Sequence, residues 1–296
     1  MLDRETCVGP WADLPVAWRS DDRFDEGTYR MDVARCCNAG MPGVYTAGTT
    51  GDFYAMEFDE WKAVNQATVE ECHSCGKPAM VDCTSTYNLG AARRAAYAAE
   101  IGDEQIVPFF KEVSDASGGQ PLSIYDTMRA RKVLTLDQHR AIRESVPNYL
   151  MVKVIKGTAG CRPESCRALS KFVNVFVGEE HFGELGRAGA KVACSSLVYW
   201  NPPLILSLWQ HFEQADWAHV DAACMQLKLL FEFFDSPQGF ALRGFTDSAG
   251  DRLGAAAGGF LKCSLRVRGP CPAALPDDVK KLRQWYREHC PEMLIA

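Results

Sequence analysis

Up to Trp200 the chain alternates short, apolar, β-rich runs that end in Gly, Thr, Ser or Asp with stretches patterned for helices. That alternation constrains the fold more than any other feature, because strands separated by crossover helices pair in parallel. The predicted strands are Leu14–Trp18, Gly43–Ala47, Ala79–Cys83, Leu122–Tyr125, Tyr149–Ile155, Val173–Val177 and Lys191–Ser195. The predicted helices include Glu57–Glu71, Ala91–Ile101, Asp103–Ala116, Leu136–Ser145 and Pro163–Ser170. Strands this continuously apolar fit a sheet covered on both faces. After Trp200 the alternation stops: Pro203–Phe212, His219–Phe234 and Asp277–His289 read as helices with no strand between them. Ser236–Pro272 is rich in Gly and Ala and holds at least one more helix. The reading is a (β/α)8-type barrel over residues 1–200, with a helical region over 201–296 that completes and extends it. No repeat or linker marks a second independent domain.

A chain of 296 residues with 47% hydrophobic content can bury such a core. The net charge of -6 leans against nucleic acid, whose backbone calls for a basic surface. There is no apolar run of membrane-spanning length, and the N-terminus is charged from its third residue, so the expectation is a cytoplasmic protein with no membrane partner. The thirteen cysteines are scattered singly or in irregular pairs, as buried thiols in a reducing compartment would be. Cys72, His73 and Cys75 lack a second pair at ligand spacing.

In a parallel barrel the chemistry sits at the C-terminal ends of strands. Three ends carry unusual residues. The second strand enters Gly48-Thr49-Thr50-Gly51-Asp52, a small-residue turn before a helix, whose backbone N–H groups and hydroxyls can hold a carboxylate. Leu122–Tyr125 ends in a tyrosine, followed by Asp126; such a tyrosine is a proton donor or a half-buried aromatic. The fifth run holds Lys153 and Lys156, which the two-residue period of a strand sets on opposite faces. Lys153 reads as lying inside the apolar run and Lys156 at its end, before Gly157-Thr158-Ala159-Gly160. A lysine partly desolvated at a strand end is a competent amine nucleophile. An ordinary surface lysine is the alternative.

Taken together these segments resemble the dihydrodipicolinate synthase / N-acetylneuraminate lyase family of pyruvate-dependent class I aldolases. Gly48-Thr49-Thr50-Gly51-Asp52 matches its Gly-Thr/Ser-Thr-Gly-Glu motif, Ile124-Tyr125-Asp126 its Tyr-Asn segment, and Ile155-Lys156-Gly157-Thr158-Ala159-Gly160 its Ile-Lys-x-Ser/Thr-x-Gly segment. Gly178-Glu179-Glu180 stands where the family has an equivalent turn. The resemblance runs over residues 10–290. It implies a TIM barrel with Lys156 forming a Schiff base with pyruvate, Tyr125 transferring protons and Thr49 orienting Tyr125. It also implies that Thr50 and Gly51 bind the pyruvate carboxylate and that Ala193 lines the pocket. It implies no cofactor and no metal, a small 2-oxo acid as partner, and a homo-oligomer, dimer or tetramer. Four of the six histidines, His139, His211, His219 and His289, fall in helices and only His181 near a strand end, which disfavours a metal-dependent aldolase.

The chain departs from this family between Asn88 and Tyr125, which are 37 positions apart. Members of the family it resembles place about fifty residues there, room for a helix, a strand, a loop and another helix. The reading is that the fourth strand and its loop are absent, and with them the family's second tyrosine. Ala130, between Arg129 and Arg131, stands where the synthases have an arginine for their second substrate. The expected activity is aldol cleavage, condensation or dehydration of a sugar-acid-like substrate. The alternatives are 4-hydroxy-tetrahydrodipicolinate synthase, or an impaired paralogue that binds a 2-oxo acid without turnover.

Overall fold

The computed structural model describes residues 2–82, 106–128 and 133–295. Its strands are parallel wherever they pair, as the alternation predicts. The chain divides into two compact units that do not follow chain order: Met1–Gly9 with Tyr87–Ala193, and Pro10–Thr86 with Cys194–Ala296.

β1 (Gly9–Asp13, from Pro10 onward), α1 (Glu26–Asn38), β2 (Val44–Thr46), α2 (Phe58–Ser74) and β3 (Ala79–Val81) open the second unit. Ala12 pairs with Val44 and Asp13 with Tyr45, and Thr46 pairs with Val81. Gly43 is required at the entry to β2, because a Cβ there would lie 2.4 Å from the Trp11 ring. The first strand is therefore Gly9–Asp13, five residues upstream of the predicted Leu14–Trp18. A segment beginning Gly-Pro and ending in Asp looks like a loop in sequence, yet all five of its residues are buried. Leu14–Trp18 carries Pro15, which has no N–H for a ladder. The alternation also passes over α1, whose turns mix Arg30, Asp32 and Arg35 into its apolar positions. Asp32 is buried there because it accepts from the backbone N–H groups of Lys262 and Cys263 at 2.7 and 2.9 Å.

The first unit contains α3 (Ile106–Ala116), β4 (Leu122–Tyr125), α4 (Leu136–Ser145), β5 (Tyr149–Lys153), α5 (Pro163–Leu169), β6 (Asn174–Val177) and the start of β7 (Val192–Ser195). α4 starts where Thr135 accepts from the Gln138 N–H while the Gln138 side chain accepts from the Thr135 N–H, satisfying two end donors reciprocally. β5 runs between β4 and β6, and its first four residues are buried. The register shifts once: Leu122 faces Tyr149 but Ser123 faces Met151, so Leu150 is an extra residue in β5. On one side of this bulge the Tyr149 hydroxyl bonds His139 of α4 at 2.9 Å. On the other side Met151 meets Cys7, with 2.7 Å between the sulfurs.

Of the stretch read as lacking a strand, Ile106–Ala116 is helix, while residues 83–105, with the predicted helix Ala91–Ile101, lie outside the described residues. Arg129, Ala130 and Arg131 lie outside them too.

The helices after β7 belong to the second unit: α6 (Leu197–Trp200), α7 (Pro202–Glu213), α8 (Trp217–Phe234), α9 (Asp247–Gly258) and α10 (Pro276–His289). The Gly and Ala content of the segment around α9 has a steric cause. A Cβ at Gly254 would lie 1.8 Å from the Trp200 ring and one at Gly258 would lie 2.0 Å from the Trp200 carbonyl. Among the described residues no helix is long and apolar enough to cross a membrane.

Candidate active site

Tyr125 and Lys153 are the last residues of the neighbouring strands β4 and β5 and are paired in register. In a parallel pair such residues project to the same side. The Lys153 Nζ sits 4.8 Å from the centroid of the Tyr125 ring. An ammonium over an aromatic face is held by the ring quadrupole. Phe176 of β6 faces Lys153 from the other side and is buried. Lys153 itself is only partly exposed.

Lys156 lies beyond the strand, not at its end as the apolar run predicts. β5 ends at Lys153 rather than at Ile155, so Lys153 is the strand-end lysine. Lys156 is exposed at the first corner of a turn closed by the Thr158 N–H to the Ile155 carbonyl at 3.0 Å. Gly157, with φ of 96°, fills the second corner, the left-handed position that a type II turn gives to glycine. Thr158 locks the turn by donating its hydroxyl to the Ile155 carbonyl at 2.8 Å and accepting from the Ile155 N–H at 3.2 Å. The Gly-Thr-Ala-Gly segment thus shapes the exit from β5. The two lysines look alike in sequence because the apolar run continues through Val154 and Ile155, beyond the last ladder pair.

Behind the tyrosine, Asp126 turns to the opposite side. It is buried, accepts from the Leu134 N–H at 3.3 Å and lies 3.5 Å from Nε2 of the fully buried His139. His139 in turn bonds Tyr149, whose hydroxyl burial pushes well above the ordinary phenol range. This Asp126–His139–Tyr149 chain fixes the backbone next to Tyr125; the sequence gives it away only as a helical histidine. Ala193, opposite Val177, is buried in β7, and Glu179 is buried in the turn after β6.

In the second unit the turn after β2 is folded on itself. Gly51 and Phe53 donate to the Gly48 carbonyl at 3.1 and 3.3 Å, and Asp52 donates to Thr49 at 3.3 Å. Those three N–H groups are spent inside the turn, which narrows the predicted carboxylate cradle. Thr50, buried, gives its hydroxyl to Asp251 of α9 at 2.6 Å and also lies 3.3 Å from Asp13. Thr49 is half-buried and Gly51 is buried. Gly48 is tight against Tyr45, where a Cβ would lie 2.6 Å from the hydroxyl. That hydroxyl donates to Asp82 at 2.5 Å, and burial followed by the charges of Asp82 and Asp13 drives its pKa well up.

Asp52 anchors the turn from within. With φ of 58° it adopts the left-handed conformation that Asp tolerates better than most residues. Its Oδ2 accepts from the Trp18 indole at 2.8 Å and from Arg252 at 2.9 Å, in an ion pair whose side chains are 0% and 1% exposed. Arg252 also donates to the Val16 carbonyl and to Ser248. Nothing in the spacing of the Gly/Ala-rich helix announces this arginine; a lone cation among small residues is its one signal.

No protein-family profile matches the chain. Among curated proteins, the 4-hydroxy-tetrahydrodipicolinate synthase of Wolinella succinogenes is 25% identical over 189 residues, 62% of this chain and 58% of that enzyme. The chain thus matches somewhat over half the length of this relative. Among solved structures, a sialic acid aldolase of Ruminococcus gnavus, solved as a catalytic lysine mutant, superposes with a TM-score of 0.79 at 15% identity, covering 99% of this chain and 98% of that one. YagE of Escherichia coli K12, described as a member of the dihydrodipicolinic acid synthase family in complex with pyruvate, gives 0.77 at 14% identity, covering 95% and 98%. These likenesses establish the fold and bear out the resemblance read from the sequence, to the dihydrodipicolinate synthase / N-acetylneuraminate lyase family of class I aldolases.

Proposed function

We propose that this protein is a Schiff-base-forming lyase for pyruvate or a related 2-oxo acid, with Lys153, not Lys156, as its nucleophile. The observation that carries this reading is the Lys153 amine held over the Tyr125 ring at the paired ends of β5 and β4. The neutral amine attacks the keto carbon, and the oxygen leaves as water after taking two protons, giving an iminium. Tyr125, whose ring lies against the amine, is the proposed carrier of those protons. The iminium draws electrons from the adjacent carbon, so loss of a proton there gives an enamine that adds to an aldehyde; cleavage runs the same steps in reverse. The roles of Thr49, Thr50, Gly51 and Ala193 rest on the family resemblance alone.

For the second reactant a polyhydroxylated sugar-acid skeleton is preferred. Ala130 stands where the synthases carry an arginine for the carboxylate of their second substrate. The synthase reading has the curated relative in its favour. The impaired-paralogue reading draws on the Thr50 hydroxyl being engaged by Asp251.

The test is reduction with borohydride in the presence of pyruvate, followed by peptide mass mapping. The adduct is expected on Lys153, lost in Lys153→Ala and retained in Lys156→Ala. An adduct on Lys156, or none on folded protein, overturns the assignment. An adduct without product from any sugar acid, or from pyruvate with an aldehyde, selects the impaired paralogue.

A further inference from the structure

The corner between α7 and α8 brings together three side chains that the aldolase chemistry does not use. The two helices are joined within a few residues. Gln214 caps α7, Ala215 takes a left-handed φ of 54°, and Asp216 caps α8 by accepting from the His219 N–H. The Asp216 N–H returns to the His211 carbonyl at 2.9 Å, so the corner is closed by backbone bonds as well. This geometry stacks the imidazoles of His211 and His219, with centroids 4.4 Å apart and planes inclined by 13°. Both Nδ1 atoms point at the same oxygen of Asp216, at 3.1 and 2.5 Å. The three ligand atoms lie within 4.8 Å of one another. Among the described residues this is the one grouping of three such donors.

We propose that His211, Asp216 and His219 bind a divalent first-row transition metal ion, with Zn2+ as the reference case. Two imidazoles and a carboxylate form a nitrogen–oxygen set suited to Zn2+, Co2+ or Ni2+ rather than to Ca2+ or Mg2+. Three protein ligands leave a position for water, the usual complement of a four-coordinate ion. Metal ligation requires the ionised carboxylate and neutral imidazoles, so the affinity should rise with pH. The sites of attachment span the end of one helix and the start of the next, so the ion would clamp the α7–α8 corner. Sequence spacing hides the set, because an eight-residue separation of the histidines matches no helical or loop ligand motif and closes only through the left-handed Ala215.

The experiment uses the full-length, reduced, metal-free protein titrated with Co2+, because the cobalt spectrum separates this set from the cysteines. One equivalent is expected, with ligand-field bands, no thiolate-to-cobalt charge-transfer band, and displacement by Zn2+. Zn2+ should raise the melting temperature by a few degrees. Both effects should vanish in His211→Ala and in His219→Ala, and the affinity should fall by about tenfold or more in Asp216→Asn. Should a variant fail to fold, Zn2+ protection of wild-type His211 and His219 from diethylpyrocarbonate, mapped by peptide mass, gives the same answer. A cobalt spectrum unchanged in the histidine variants, a thiolate band as the main signal, or absence of protection overturns the site and leaves a hydrogen-bonded His–Asp–His triad only.

Discussion

Replacing Arg252 with methionine isolates the anchor beneath the turn after β2. The Arg252–Asp52 pair is sequestered from water, and Asp52 also accepts from Trp18. Methionine fills most of the volume but leaves the Asp52 carboxylate buried with two neutral donors, the Trp18 indole and the Tyr54 hydroxyl, and the Val16 carbonyl without the arginine. Removing one partner of a buried pair costs about 3–5 kcal/mol. For a chain of this length about 2 °C accompanies each kcal/mol, so the melting temperature should fall by roughly 6–10 °C. Asp52→Asn keeps the left-handed backbone accessible and strands the guanidinium instead, so it too should be strongly destabilising. Their combination should cost less than the sum, with a coupling of about 1.5 kcal/mol or more in a double-mutant cycle read by urea unfolding. Arg30→Ala is the control: Arg30 pairs with Glu26, Glu70 and Glu71 in a partly exposed network, and its loss should cost about 1 kcal/mol or less. Additive singles, or an Arg252→Met shift no larger than that of Arg30→Ala, would refute the view that this pair holds the turn.

Two further outcomes follow from packing and from titration. Gly254→Ala drives a methyl into the Trp200 ring and should destabilise by about 1–3 kcal/mol. Gly250→Ala, one turn earlier in α9 with nothing within 4 Å, should stabilise by about 0.4–1 kcal/mol; urea midpoints that rank the two the other way contradict the close approach of α9 to Trp200. The hydrogen bond it shares with Cys72, 4.0 Å away, draws the Cys37 thiol down to about 7 from its ordinary 9.0. Thiolate absorbance, wild type minus Cys37→Ser, should therefore rise with a midpoint near that pH, and a midpoint at the ordinary value of 9.0 would rule it out. Because the folded-state value is depressed, the thiolate's contribution to stability is complete above about 9 and is lost as the pH falls through about 7.

Strand ends were legible where composition and ladder end together. Leu122–Tyr125 is read to the residue, because Asp126 stops the apolar run where β4 stops. β5 deceived the reading because Val154 and Ile155 remain apolar after the last pair, and burial alone cannot tell a strand from its buried exit. β1 was missed for the opposite reason: glycine, proline and aspartate are turn formers in isolation, and only contacts with Trp11 and the β2 ladder make Gly9–Asp13 a strand. The turn after β2 was recognisable from its small residues. The partner that holds it, Arg252, is two hundred residues away in sequence, and no local period encodes so distant a pairing.

The bulge at Leu150 has a consequence for how this chain tolerates insertion and deletion. Side chains along a strand alternate, so one extra residue reverses the facing of everything downstream. Tyr149 bonds a helix on one side and Lys153 meets Tyr125 on the other, although an even number of positions separates them. Excising one residue between them would carry the amine to the far side of the sheet, together with every strand residue after the cut. The orientation of the proposed nucleophile is thus decided at the opposite end of its strand, by parity rather than by any contact the lysine makes.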